Sequence, residues 1–337
     1  MHVVVFRFSA MGDVALCLPV LKSLLALNPQ LRITLVTRKN FAFLFKEVER
    51  LQVVAADLAG AHKGLSGLYK LSQKIKKMGH IDYVCDLHQV LRTHVLNLFF
   101  GLKVLKMNKG RSEKKNFIQN KTLKPLKHTT ERYLDVFRTL PLKLPSSMAE
   151  LVQFGFSPDE VTPKLDSYLN ELSSDKIIGF APFAKHMSKT WPLDYVENFL
   201  ALMQKHNTQI LLFGGPGEEQ KKLELLAGKY QNTKCVAGMF SMTEEMSLMK
   251  RLRIMIVMDS ANMHFATLCH TPIISIWGGT HPNLGFAPID TKSEILQVDL
   301  ACRPCSAFGR GDCPEAHFKC MREITPERLF QLVQSKI

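Results

Sequence analysis

The sequence predicts two doubly wound α/β domains, on three observations. Apolar runs of strand length alternate with segments of helical period along both halves of the chain. Those runs are continuous rather than alternating, as in parallel strands covered on both faces. Their C-terminal ends carry Ser, Gly, Asp or Lys, where open α/β sheets bind ligands. A length of 337 residues suits about two domains, and an apolar fraction of 46% fills two cores.

In the first half, strands are expected at His2–Phe8, Arg32–Thr37 and Tyr83–Leu87, and helices at Leu18–Leu27, Leu68–Lys77 and Thr93–Phe100. Pro19 is tolerated only in a first turn, so the helix begins near Leu18 and Asp13–Cys17 reads as a loose turn. In the second half, "KIIGFAP" (Lys176–Pro182), "QILLFGG" (Gln209–Gly215), "RIMIVMDS" (Arg253–Ser260) and "PIISIWGG" (Pro272–Gly279) read as strands. "PLDYVENFLALMQKH" and "ANMHFATLC" read as helices between them. The stretch 139–163 carries four prolines and no strong period, which marks a linker with loose elements.

The start of the chain has no signal-peptide pattern, because Arg7 and Asp13 break its apolar stretch, and no apolar run is long enough to span a bilayer. A cytoplasmic protein is expected. The eight cysteines then read as free thiols or metal ligands rather than disulfides. A formal charge of +14 favours an anionic partner, whether nucleic acid, lipid or phosphorylated substrate. The segment Lys103–Lys127 holds nine Lys or Arg residues against one acid, Glu113. It reads either as a solvated loop or, beside the apolar "VLNLFFGL" (Val95–Leu102), as a face for an anionic membrane.

Four sites fall at predicted strand ends. In Ser9–Asp13, the carboxylate either caps a helix or serves as a general base; a dinucleotide site is disfavoured because G-x-G-x-x-G is absent. In "KHMSKTWP", Lys185 and Lys189 precede a helix, as surface lysines or as a phosphate seat. In "GGPGEEQ", Glu218 opens a helix, where the dipole alone favours a carboxylate; holding a ribose is the alternative. In "MDSANMH", Asp259 and Ser260 end a strand, residues 260–262 offer amides for a pyrophosphate, and His264 lies a turn later. "WGGTHP" adds Thr280 on another glycine-lined turn, and no G-x-S-x-G elbow suggests a hydrolase.

Taken in order, "F-S-A-M-G-D…L-P-V-L", "K-T-W-P", "G-G-P-G-E", "D-S-A-N-M-H", "W-G-G-T-H-P" and the tail "C-R-P-C…C-P…H-F-K-C-M-R-E-I-T-P-E" resemble glycosyltransferase family nine, the bacterial heptosyltransferases of lipopolysaccharide core synthesis. The resemblance runs nearly end to end. It implies a GT-B fold: an acceptor-binding Rossmann-like domain over 1–160, a nucleotide-sugar domain over 161–323, and a C-terminal helix (324–337) crossing back to the first domain. It also implies inverting, metal-independent transfer of heptose from ADP-heptose, without a cofactor, to an acidic lipid A-core acceptor. The protein would then be peripheral on the cytoplasmic face of the inner membrane, with an anionic membrane surface and no nucleic acid as partner. By resemblance Asp13 is the base. Lys189, Glu218, Asp259, Ser260, Ala261, His264 and Thr280 belong to the donor side, and Ser9, Arg92, Lys114 and Lys115 to the acceptor side. Ala261 departs from the family's usual glycine, and His281 from its commonest form.

Three rivals share these features: a transferase of the same fold with another sugar and acceptor, a nucleic-acid binder explained by charge, and a non-catalytic sugar-nucleotide sensor. Cys302, Cys305, Cys313 and Cys320 form C-x2-C-x7-C-x6-C, readable as a structural zinc site or as reduced thiols packing a loop.

Overall fold

A computed structural model describes residues 1–122, 124–156, 162–172, 174, 176–290 and 292–337. The chain divides into two compact units, Met1–Arg111 with Lys127–Phe156 and Ser112–Leu126 with Ser157–Ile337. The expected boundary at 160/161 lies outside the described residues.

The N-terminal unit runs β1 (His2–Phe6), α1 (Met11–Ala15), α2 (Cys17–Leu27), β2 (Arg32–Arg38), β3 (Leu51–Ala56), α3 (Gly64–Lys76), β4 (Tyr83–Asp86), α4 (Leu91–Phe100) and β5 (Val104–Lys106). After α5 (Arg111–Asn120) it resumes with α6 (Thr129–Phe137) and α7 (Met148–Val152). Its five strands are all parallel in the order β3-β2-β1-β4-β5. The run "HVVVF" is buried along its whole length, and Val4 and Phe6 join Leu68, Leu71, Ile75, Leu96 and Phe100 in one core. The loose turn expected over Asp13–Cys17 is instead helical, because α1 leads into α2 almost without a break and Pro19 sits harmlessly in α2's first turn.

The C-terminal unit runs α8 (Pro163–Asn170), β6 (Ile177–Ala181), α9 (Leu193–Met203), β7 (Gln209–Leu212), α10 (Glu218–Lys229), β8 (Thr233–Cys235), α11 (Met242–Met249) and β9 (Ile254–Met258). It continues with α12 (Ala261–Leu268), β10 (Ile273–Ile276), β11 (Glu294–Leu296), α13 (Lys319–Arg322) and α14 (Pro326–Gln334). The six strands are parallel in the order β11-β10-β9-β6-β7-β8. The tail expected to cross back, 324–337, packs within this unit: α14 lies on α9, and Ile324, Leu329 and Val333 are buried in its core.

Residues 112–120 of the charge run are helical rather than the solvated loop that one reading expected. They form most of α5, and they pack as part of the C-terminal unit. Phe117 is buried against the His281 ring, with centroids 5.8 Å apart, and the Lys114 ammonium lies 4.2 Å from the Phe286 ring centroid. A lysine stem and one aromatic are enough to give this basic helix an apolar side.

Each sheet reverses its winding once. In the first, β1 lies between β2 and β4; in the second, β6 lies between β7 and β9. Chain leaving neighbouring strands in opposite directions opens a crevice at their C-terminal ends, and ligands bind there.

Candidate functional site

In the N-terminal unit the crevice lies above β1 and β4. Beyond β1 come Arg7, Phe8 and Ser9, then α1 with Asp13 in its first turn. Asp13 Oδ2 accepts from the Ala10 amide at 3.1 Å, so the capping reading holds as far as it goes. The same oxygen pairs with Arg7 Nη2 at 2.7 Å, and Oδ1 is used by neither contact. The Asp13 side chain is 24% exposed, Arg7 only 6%. Arg7 also donates to the Leu87 carbonyl at 2.5 Å and stacks over Tyr133, whose hydroxyl donates to the Asp13 carbonyl at 3.0 Å. Asp13 is thus held from two elements, by a guanidinium that stays charged at any working pH.

The β4 side is organised by Asp86, which is fully buried. Its Oδ1 accepts from the amides of His88 and Gln89 at 2.9 and 2.8 Å, and its Oδ2 from Gln89 Nε2 and Asn97 Nδ2, both at 3.0 Å. Four donors satisfy this buried carboxylate, which fixes the loop that carries His88. His88 Nε2 meets Ser9 Oγ at 3.3 Å. Among the described residues, Arg7 Nε, His88 Nδ1 and Asn97 Oδ1 are buried polar atoms without a hydrogen-bond partner, which suits a polar ligand at this end of the sheet.

Burial, with Arg7 and Lys109 nearby, pushes His88 down to about 4. Below its ordinary 6.5 the unfolded chain takes up a proton that the fold refuses until about pH 4. Unfolding therefore becomes easier as pH falls through that window. Thermal melts at pH 7 and pH 5 should show this fall in stability, and His88→Gln should reduce its slope.

In the C-terminal unit the crevice lies above β6 and β9. Lys189 Nζ pairs with Asp259 Oδ2 at 2.8 Å, and Thr280 Oγ1 donates to the same oxygen at 2.7 Å. Both charged side chains are largely buried, at 14% and 10% exposure. Three loops build this cluster. The Ser188 carbonyl accepts from the Gly279 amide at 2.9 Å, and Ser188 Oγ donates to the Gly309 carbonyl at 2.7 Å. At Gly309, φ is +77° and a Cβ would come within 2.6 Å of Lys189 Cγ and Cε, so only glycine lets that loop sheathe the lysine. Arg303, 3% exposed, donates to the carbonyls of Gly278 (2.6 Å), Trp277 (3.2 Å), Thr280 (2.9 Å) and Val298, and so fixes the turn that carries Thr280.

Asp259 precedes α12, whose first residue is Ala261. A helical backbone accepts that Cβ. Ser260 Oγ is buried without a partner, and His264 is buried one turn on. Glu218 opens α10 but is 81% exposed and pairs with Lys221; its neighbour Glu219 ties down the glycine turn through the Gly215 amide at 2.8 Å. Arg92 and Lys115 are exposed. Lys114, expected on the acceptor side, is buried over Phe286 and Phe308 in the C-terminal unit. Among the described residues no group of three or more His, Cys, Asp or Glu is arranged to hold a metal ion, and no helix is long and apolar enough to cross a membrane.

Residues 68–311 match the profile of glycosyltransferase family 9 (heptosyltransferase). The chain belongs to this family. Lipooligosaccharide heptosyltransferase 2 of Campylobacter jejuni is 28% identical over 165 residues, 47% of this chain and 51% of that protein. The chain thus matches about half the length of that relative. Among solved structures, a family 9 glycosyl transferase from Veillonella parvula superposes with a TM-score of 0.77 at 18% identity, covering 99% of this chain and 96% of the other. E. coli heptosyltransferase WaaC, solved with ADP, superposes at 0.73 with 15% identity and full coverage of both chains; it is also solved with ADP-2-deoxy-2-fluoro heptose. The architecture is GT-B, as expected from the motif order.

Sequence reading missed three residues of this family 9 chain. Arg7, Asp86 and Arg303 are buried charges, 5%, 0% and 3% exposed. The available signal was placement: Arg7 and Asp86 each close an apolar strand run, where a charge needs a partner.

Proposed function

We propose that the chain is an inverting glycosyltransferase that moves heptose from ADP-heptose to the Kdo- and heptose-bearing inner core of lipopolysaccharide. The observation that carries the reading is the Lys189–Asp259–Thr280 cluster at the β6/β9 crevice of a family 9 chain. An ammonium beside the start of α12 suits a diphosphate, since helix amides and charge act together. Ser260, with its unpartnered hydroxyl, and the Ala261 amide belong to that seat, as does His264. Glu218 gives up an exposed pair with Lys221, worth little in water, for ribose hydroxyls.

The acceptor belongs to the N-terminal unit. Ser9 and the exposed Arg92 suit an acidic core sugar, while Lys114 drops out because its ammonium is occupied by rings. In the reaction the acceptor oxygen bonds to the anomeric carbon as the bond from that carbon to the diphosphate oxygen breaks. The electron pair leaves with ADP, and Lys189 with the α12 amides stabilises the charge that builds there. Asp13 takes the acceptor's proton on Oδ1. In this reading no metal or cofactor takes part, and the protein works at the cytoplasmic face of the membrane that holds its acceptor.

Isothermal titration tests the donor. ADP-heptose should bind at least about tenfold more tightly than UDP-sugars, a gap of roughly 1.4 kcal/mol, with the same affinity in excess EDTA. Equal or tighter binding of a UDP-sugar would move the assignment to another transferase of this fold.

A further inference from the structure

Helices α3 and α4 pack side by side and bury Leu68, Leu71, Ile75, Leu96 and Phe100 in the N-terminal core. Their outward faces are not polar, as those of surface helices usually are. Leu65 and Tyr69 on α3 are 67% and 52% exposed, and Leu91 and Leu98 on α4 are 79% and 80% exposed. Leu102, just beyond the Gly101 cap, is 38% exposed. Spacings of four and seven residues put each helical pair on one face. Tyr69 meets Phe99 edge-on with centroids 5.5 Å apart, which joins the two faces. One exposed leucine needs no explanation, but five large apolar side chains on two adjacent helices and the turn after them form a patch.

Charge says what covers it. Exposed Lys63, Lys70, Lys74, Lys76 and Lys77 accompany α3, and exposed Arg92, Lys103 and Lys106 accompany α4 and the strand after it. Between residues 58 and 111 the acids are Asp82, at the far end of β4, and the buried Asp86. A protein partner for so basic a rim would have to be acidic yet offer an apolar centre. A bilayer with anionic headgroups offers both at the right depths: leucines enter the acyl boundary while lysine stems reach up to the phosphates.

We propose that the α3–α4 face docks the protein on an anionic phospholipid bilayer. This keeps the apolar stretch Val95–Leu102 of the lipid face expected beside the basic segment 103–127, and leaves out residues 112–120 of that segment, which pack as α5 in the C-terminal unit. The inference deepens the proposed function and rests on it for the location of the acceptor.

Sedimentation with vesicles, without donor or acceptor, tests it. The full chain should bind phosphatidylcholine vesicles containing phosphatidylglycerol, and ignore vesicles of phosphatidylcholine alone. Leu91→Glu/Leu98→Glu should weaken that binding by on the order of tenfold or more, with ADP affinity and thermal melt unchanged. Lys70→Gln/Lys74→Gln, which leaves the apolar patch intact, should weaken it and reduce its salt dependence. Vesicle binding unaffected by either variant overturns the assignment. So does a dimer in lipid-free buffer that Leu91→Glu/Leu98→Glu dissolves, which would make a second copy the occupant. A chain that transfers heptose to a deacylated, soluble acceptor but ignores vesicles defeats only this inference. One that binds vesicles through this face but ignores ADP-heptose defeats the functional reading and leaves the surface standing.

Discussion

Asp13→Asn lowers kcat by on the order of 10²–10⁴-fold, the usual contribution of a positioned general base, and leaves the affinity for ADP-heptose unchanged. The asparagine keeps the size of the side chain and its contact with the Ala10 amide, and it cannot take a proton. The local cost is that Arg7 loses its charged partner, which it holds at 2.7 Å while almost wholly buried. Losing one partner of a buried pair destabilises, so a melting curve must accompany the kinetics. The split between kcat and donor affinity separates a base from a fold element, because unfolding would remove both. It also separates an enzyme from a sugar-nucleotide sensor, which has no turnover to lose.

Lys189→Met weakens ADP binding by about 10–150-fold, the loss of one charge-assisted bond worth roughly 1.5–3 kcal/mol. It lowers kcat further, because the same ammonium faces charge that grows as the diphosphate departs. Methionine fills the stem position against Gly309 without the charge. Asp259 is then left with Thr280 as its remaining partner in a largely buried site. Asp259→Asn is the control, since it releases the lysine without deleting it. If Lys189 serves only to neutralise Asp259, Asp259→Asn and the double variant bind ADP equally, and Lys189→Met alone binds more weakly because its bare carboxylate repels the diphosphate. If it holds the diphosphate, both variants lacking the lysine bind more weakly than Asp259→Asn alone. Titration of the three variants with ADP decides between these outcomes.

The parts of the fold legible in the sequence are those where burial is complete. β1, β6, β9 and β10 are almost wholly apolar runs, with Ser275 the one polar residue inside them and His2 at the start of β1, so their existence and parallel arrangement follow from composition. β3, β5, β8 and β11 lie on or toward sheet edges, are partly exposed, and carry residues such as Gln52, Lys106, Lys234 and Glu294 that blur any period. Helix α5 is hidden by its own charge, since only Phe117 and the stem of Lys114 mark its inner side. The site divides in the same way. Asp13, Lys189, Asp259 and Thr280 stand at strand ends, where the winding of the sheets gives polar residues a reason to be. Glu218 and Glu219 both gain from the start of α10, and no local rule says which of them turns inward. Arg303 reads as one basic residue in a cysteine-rich tail. Its role exists only because the chain returns 25 residues after Gly278 to cap that turn's carbonyls.

The most direct measurement is product analysis with ADP-heptose and a Kdo-bearing core acceptor, for the wild-type chain and Asp13→Asn side by side. Wild type should yield one ADP for each acceptor that gains a single heptosyl group, with inverted anomeric configuration. Asp13→Asn should bind donor and form almost no product. Donor binding with no transfer by wild type, retained configuration, or undiminished transfer by Asp13→Asn would rule out Asp13 as the base of an inverting heptose transfer.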